Sequence, residues 1–402
     1  MVTIIVIGGG FAGLYALFEL ERHIKKDDTL ILIEPRDYFV FTPLLHEVAG
    51  GVLHKESVTA KYTDLLHHIK HSKATAEHID FEKKTVIANN KKYAFDYLLI
   101  ASGSKTNFFG KKLPALELKT YEDAIAIRTT IEQNVITAAN LLAKNDTAAV
   151  TSLLSAIIIG GGATGVELAG EAIDLFRFRM QQQGIPHKKA QVFLVQAQKR
   201  LLPQLPEYFH SVAAKKLKAK GVQIIFDAKV HAIAENNVAI KTKNDAITMN
   251  ASCIVWTAGI QPNTIPPSQN HFVTKKTLQV ERHSFAFALG DVAKMDPLLP
   301  ALAQVASKQG VHAAKNVMRM IRGQEPLPFS YKDHGMLISI GQKYAVGNVF
   351  GIPIKGFLAW VIMRTVYLFK FRNLRQEFRT SWEYTVRLFI REKSCMRRNK
   401  RF

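Results

Sequence analysis

The sequence predicts an α/β chain with two Rossmann-like dinucleotide-binding domains and a C-terminal amphipathic helical module that would attach it to a membrane. Three observations carry that prediction. Gly8-Gly9-Gly10-Phe11-Ala12-Gly13 follows an apolar run at the N-terminus, Gly160-Gly161-Gly162-Ala163-Thr164-Gly165 repeats the pattern in mid-chain, and the stretch from Lys355 to Phe402 is basic and aromatic. One Gly-x-Gly-x-x-Gly is weak evidence, because glycine-rich turns are common. Two of them, each between a β-rich run and a helical run, imply two dinucleotide cofactors and electrons passed between them.

The first motif follows Thr3–Ile7, a β-branched run typical of a buried parallel strand. Gly8 permits a tight turn, Gly10 lets the backbone approach a pyrophosphate, and Gly13 lets the next helix pack on the strand. The helix expected over Ala12–His23 aims its N-terminal amides at the phosphates. A second strand, Thr29–Ile33, ends at Glu34, 21 residues after Gly13, where a carboxylate holds a ribose hydroxyl. Phe11, Ala12, Pro35 and Arg36 complete this candidate site. An N-terminal motif followed by an internal one favours FAD here. A strand expected over Tyr97–Ser104, ending in the small residues Ala101-Ser102-Gly103-Ser104, and the strand Phe285–Leu289 running into Gly290-Asp291, support that choice. Asp291 is suited to accept hydrogen bonds from a flavin ribitol.

The second motif repeats the logic after Ser155–Ile159, with Gly160, Gly162, Ala163, Thr164 and Gly165 as candidate NAD(P)H contacts. Glu167 and Glu171 share one face of the helix that follows. The ribose strand Gln191–Val195 ends at Gln196, where an NAD-specific site usually has an acid. Glutamine does not repel a 2′-phosphate, and Lys199 and Arg200 follow. NADH as the main donor, or NADPH tolerated beside it, both stay open.

Charge and composition bound the rest. The net charge is +21, and residues 355–402 hold 13 Lys/Arg against three Asp/Glu, an excess of +10. Such an excess suits an anionic membrane surface, nucleic acid or a solvated tail. No apolar run reaches the roughly 20 residues of a spanning helix, and no signal or transit segment is read. Cys253 and Cys395 form no Cys-x-x-Cys or metal-ligand pattern, so no metal site is expected. The histidine-rich stretch Leu65–His71 reads as a solvated helix face. The helical stretches Gly356–Lys370 and Trp382–Ile390 are too short and too basic to span. They suit helices lying in the interface, with Trp360, Tyr367 and Trp382 as anchors and Arg364, Arg387 and Arg391 toward headgroups.

Several segments resemble type II, non-proton-pumping NADH dehydrogenases. They are Tyr38–Gly51, with Thr42-Pro43-Leu44 on the flavin side; Gly160–Glu171; Val255–Gly259, with Ala258 and Gly259; Ala288–Asp291; Pro300–Gly310; Gly356–Trp360; and Phe371-Arg372-Asn373. The resemblance covers almost the whole chain. It implies a discontinuous FAD-binding domain (1–115 and 272–330), an NAD(P)H-binding domain (116–271) and a membrane-anchoring module (331–402). It also implies hydride transfer from nicotinamide to flavin N5, then two-electron reduction of a membrane quinone without ion pumping.

By the same resemblance, Ala303 and Gln304 lie at flavin and quinone, Trp360 lines the quinone side, and Glu167 stands near nicotinamide and flavin as a catalytic residue together with Gln304. Lys308 replaces a glutamine of the family pattern and is expected to face solvent. The expected setting is the cytoplasmic face of a bacterial inner membrane, with a homodimer left open and no nucleic-acid partner. A reductase serving a protein acceptor and a flavin-bearing nucleic-acid-associated protein are the rival readings. Reductases that cycle a disulfide, and sulfide:quinone reductases, need cysteines beside the flavin, and neither Cys253 nor Cys395 sits in a matching motif.

Overall fold

The computed structural model describes residues 1–370 apart from 112 and 243–244. Phe371-Arg372-Asn373, Trp382–Ile390 and Cys395 lie outside the described residues. The chain divides into two compact units. Residues 1–40, 59–105 and 260–332 form the first; 41–58, 106–259 and the residues from Asp333 onward form the second. The expected boundaries differ: residues 41–58, with Thr42-Pro43-Leu44, and 106–115 group with the second unit, 260–271 group with the first, and the described residues from Asp333 to Lys370 group with the second.

Seven helices matter below. They are α1 (Phe11–Glu21), α2 (Leu45–Ala49), α3 (Tyr121–Ala143), α4 (Ala163–Gln182), α5 (Glu207–Ala219), α6 (Ala303–Ile321) and α7 (Phe357–Lys370).

In the first unit an eight-stranded sheet runs, edge to edge, 293–295, 272–274, 279–280, 283–288, 97–100, 3–7, 29–33 and 70–72. Thr3–Ile7 pairs in parallel with Thr29–Ile33 on one side and Tyr97–Ile100 on the other. Ile4, Ile5 and Val6 are fully buried, as a strand covered on both faces requires. Helices α1 and α6 pack closely, because Gly310 has no side chain. A Cβ there would sit 2.1 Å from the Ala12 carbonyl oxygen.

The histidine-rich stretch is not a helix face. Only Tyr62–Leu65 is helical, and Lys70–Ser72 is the edge strand beside Thr29–Ile33. The amides of His67 and His68 donate to the Glu21 carboxylate instead of continuing the helix.

In the second unit a four-stranded parallel sheet has the order 222–225, 191–195, 155–159, 253–256. Two antiparallel three-stranded sheets accompany it, built from 229–234, 237–241 and 246–250, and from 337–339, 345–349 and 352–356. Leu44, Leu45 and Val48 are buried, and α2 packs on α3 and α4. Burial of this apolar face explains why residues 41–58 join this unit. Helix α3 starts from a capping box, with Thr120 accepting from the Asp123 amide and the Asp123 carboxylate accepting from the Thr120 amide. No described helix is long and apolar enough to cross a membrane.

Candidate functional site

Each unit carries the same turn. In the first, the register brings Ile7 beside Ile33, so the Gly8 amide donates to the Ile33 carbonyl at 2.9 Å. Gly8 has φ +93°, and a Cβ on it would lie 2.4 Å from the Ala101 oxygen. A Cβ on Gly13 would lie 1.9 Å from the Gly8 oxygen, whereas one on Gly10 would meet nothing within 4 Å. The turn and the helix–strand contact therefore need glycine, and the space above Gly10 at the start of α1 is open. That is the shape a pyrophosphate needs, with helix amides as donors.

Glu34 is buried at the end of its strand. Its carboxylate accepts from the Gly9 amide at 2.9 Å and from Arg36 Nε at 2.9 Å. The Tyr62 hydroxyl donates to the Gly9 carbonyl at 2.9 Å, closing the turn from the other side. Burial is the first reason the Tyr62 hydroxyl is held well above the ordinary phenol range, and the Glu34 charge is the second. Tyr62 thus stays a donor. Phe11 packs edge-on against Phe39 at 5.1 Å, Ala12 is buried, and Pro35 leads from Glu34 to Arg36.

Ser102 and Gly103 are tied to Asn263, through Ser102 Oγ to its carbonyl at 2.7 Å and through its amide to the Gly103 carbonyl at 2.9 Å. Gly290 has φ +69° and its amide donates to Gln309 Oε1 at 2.7 Å, while Asp291 accepts from Ser104 Oγ at 2.6 Å. Ala303 and Gln304, both half-buried, form the first turn of α6. Lys308, expected in solvent, is half-buried. Its ammonium reaches the Lys332 carbonyl at 3.3 Å and lies over the Tyr331 ring at 5.0 Å, because a long cationic side chain can cover an aromatic face.

The second turn repeats this geometry. The Gly160 amide donates to the Val195 carbonyl at 2.8 Å, and Gly160 has φ +112°. A Cβ on it would lie 2.8 Å from the Ala258 nitrogen. A Cβ on Gly165 would lie 1.8 Å from the Gly160 oxygen, and one on Gly162 would meet nothing within 4 Å. Gln196 replaces Glu34 atom for atom in one contact. Its Oε1 accepts from the Gly161 amide at 3.0 Å, and its Nε2 donates to the Arg200 carbonyl at 2.9 Å. Ala163 and Thr164 open α4, with Thr164 exposed. Ala258 accepts from Trp256 Nε1 at 2.9 Å, and Gly259 has φ +85°.

Below this turn the second unit holds a buried polar cluster. Glu167 and Glu171 project from one face of α4, and His46 and Glu47 come from α2. Glu167 accepts from the Ser339 amide at 3.2 Å and lies 3.5 Å from His46 Nδ1. Burial pushes its carboxyl well above the usual range, with the charges of Glu47 and Glu171 adding to the shift. Burial lowers the His46 imidazole to about 3, helped by Arg364. Burial thus favours the uncharged form of both groups. Glu171 is fully buried against Gly50, and one of its oxygens has no hydrogen-bond partner. Burial, followed by Asp174 and Glu47, pushes its carboxyl up to about 8.

Glu47 and Arg364 were not predicted as a pair. Arg364, expected at headgroups, is buried, and its Nη2 lies 3.0 Å from Glu47 Oε1. Trp360, expected as an interface anchor and quinone contact, is also buried. Its ring stacks under the Arg364 guanidinium at 3.9 Å and against Phe357 at 5.6 Å. Tyr367 meets Phe41 edge-on at 5.6 Å. The reason is the phase of the helix. The face carrying Ala359, Trp360, Met363 and Arg364 packs inward, which leaves Phe357, Leu358, Val361 and Val366 exposed.

Two glycine cradles of this kind define a two-dinucleotide flavoprotein-type oxidoreductase. The chain belongs to the pyridine nucleotide-disulphide oxidoreductase family, which it matches over residues 2–310. It is 29% identical over 370 residues to the type II NADH:quinone oxidoreductase of Staphylococcus saprophyticus, covering 88% of this chain and 91% of that protein. Its fold is similar to NDH2 from Plasmodium falciparum in complex with NADH (TM-score 0.88, 18% identity, 97% and 98% of the two chains). The sulfide:quinone oxidoreductase of Aquifex aeolicus is similar at a TM-score of 0.71 and 19% identity, over 97% and 96%. The family name includes a disulphide, but Cys253 is buried at the start of the strand Cys253–Trp256 and burial pushes its thiol up to about 12. Such a thiol is a poor redox nucleophile.

Proposed function

We propose that this chain is a membrane-attached NADH:quinone oxidoreductase with FAD as its resident cofactor. The observation that carries the reading is the pair of matched cradles, one ending in Glu34 and one in Gln196. Gly8, Gly10, Gly13, Glu34, Ser102, Gly103 and Asp291 would hold FAD in the first unit. Gly160, Gly162, Gly165, Gln196 and Gly259 would hold NADH in the second. FAD supplies hydride acceptance from the nicotinamide and electron delivery to a quinone.

The chain's own residues align, insulate and manage protons. The α1 and α4 N-termini neutralise pyrophosphate charge. Glu167, whose burial favours the protonated carboxyl, orients the nicotinamide amide. Ala303 and Gln304 border the quinone. The exposed apolar residues of α7 lie against the acyl boundary of the cytoplasmic leaflet. In this reading the electrons pass to the quinone without ion pumping.

The test is oxidation of NADH and NADPH by the purified flavoprotein with a short-chain quinone, with and without anionic vesicles. The expected result is quinone-dependent NADH oxidation that vesicles increase. Fast transfer to a protein acceptor with little quinone reduction would overturn the reading. A chain truncated before Gly356 that still pellets with anionic vesicles would remove α7 from the membrane role.

A further inference from the structure

We infer that Arg364 is a positioning residue whose seating on Glu47 sets how many protons the buried acid cluster holds. The inference deepens the proposed function and rests on its placing of Glu167 beside the nicotinamide. Three carboxyls share this part of the second unit: Glu47 on α2, and Glu167 and Glu171 on α4. Arg364 is the cation buried with them, 3.0 Å from Glu47 and clamped from below by Trp360. Its charge cancels that of Glu47. With the Glu47 charge offset, the Glu171 titration is held below where burial and an unopposed Glu47 would put it.

The remaining groups packed around the cluster do not supply that balance. His46 is neutral. Tyr367 is held well above the phenol range, by burial first and by the Glu167 and Glu47 charges after it. Asp174 is taken by Lys220 at 2.6 Å. On α3, Arg128 is 2.9 Å from Glu132, which also receives Arg179. The cation is delivered by α7, the helix whose other face is apolar and exposed. Seating of that helix and the proton content of the acid pair are therefore one equilibrium. If α7 lifts, Glu47 loses its counter-charge and the cluster takes a proton from solvent.

The charges of Arg364 and Glu47 act on Glu171 in opposite directions, which provides a test that a merely structural clamp fails. The full-length holoprotein is compared with Arg364→Met, Glu47→Gln and the double variant. Two profiles are read between pH 5 and 10: quinone reduction, and thermal stability of the protein. The titration set by the acid pair moves up by about one pH unit in Arg364→Met and down by a similar amount in Glu47→Gln. It returns toward the parent value in the double variant, although the clamp is then gone altogether. Arg364→Lys keeps the parent profile.

A double variant displaced as far as either single one overturns the inference, as do single variants with unmoved profiles. If one single variant fails to fold, the other and the double still decide. A parent protein that reduces no quinone would sink the proposed function, while the stability profiles would still judge the Arg364 inference.

Discussion

The two glycine turns are near copies in backbone and differ in what surrounds them. In both, a strand-end amide hydrogen bond sets the turn, and the third glycine excludes a Cβ from the carbonyl of the first. In both, the side chain ending the neighbouring strand accepts from the middle glycine's amide, Glu34 in one and Gln196 in the other. The first has a charged acceptor tied to Arg36; the second has a neutral acceptor tied to a backbone carbonyl. The backbone geometry is the same at both places, and the difference lies in the charge of the residue at the strand end.

The largest effect expected is at the third glycines. Gly13→Ala and Gly165→Ala each put a Cβ against backbone that cannot retreat, at a cost of about 3 kcal/mol or more. If the units have separate jobs, Gly13→Ala loses bound flavin and Gly165→Ala keeps flavin but loses NADH binding. Flavin-to-protein ratio and NADH titration read the two, and loss of flavin in both would break the assignment.

Next in size is the pH response of the second unit. Glu171 is raised to about 8 in the folded state, mainly by burial. A group raised on folding stabilises below its unfolded value near 4.5 and loses that contribution as pH climbs through 8. Between pH 5 and 9 the melting temperature should fall more in the parent than in Glu171→Gln, by the equivalent of a few kcal/mol. Parallel melting curves would mean the carboxyl is charged in the folded protein.

Exchange at the strand ends comes third. Glu34→Gln should weaken FAD about tenfold to a hundredfold by removing a charge-assisted bond. Gln196→Glu should raise the preference for NADH over NADPH about tenfold through repulsion of the 2′-phosphate. An unchanged ratio would show that Gln196 does not set donor choice. The smallest structural effect belongs to Gly10→Ala and Gly162→Ala, whose Cβ meets nothing in the protein. Thermal stability should move by under about 1 kcal/mol, while affinity for the respective dinucleotide drops. A loss of stability without loss of affinity would place the cofactors elsewhere.

Much of this was legible in the sequence because it is local. Thr3–Ile7, Thr29–Ile33, Ser155–Ile159 and Gln191–Val195 are strands with the bounds their apolar runs suggested, whereas the strand expected over Tyr97–Ser104 stops at Ile100. Each of the two motifs joins a strand end to a helix start within a few residues, so the chemistry of the turn is written in adjacent positions. The Arg364–Glu47 pair spans 317 positions and is made by tertiary packing alone. An amphipathic pattern marks an apolar face on α7, but Trp360 and Arg364 turn inward because small Ala345 and Ala359 leave room there. Leu65–His71 misleads for a related reason. Its backbone amides find Glu21 and the edge of the sheet, which a reading of local composition cannot anticipate.

The carbonyl of the middle glycine is closed differently in the two turns. Gly9 relies on the hydroxyl of Tyr62, and Gly161 on the backbone amide of Leu202. A single base change turns tyrosine into phenylalanine and deletes the first bond. The second bond needs only an amide hydrogen, although Leu202 is itself fully buried at φ +50°. Drift can therefore loosen the first turn at one codon by deleting a hydroxyl, whereas the second keeps its closing donor through any change that leaves the backbone in place.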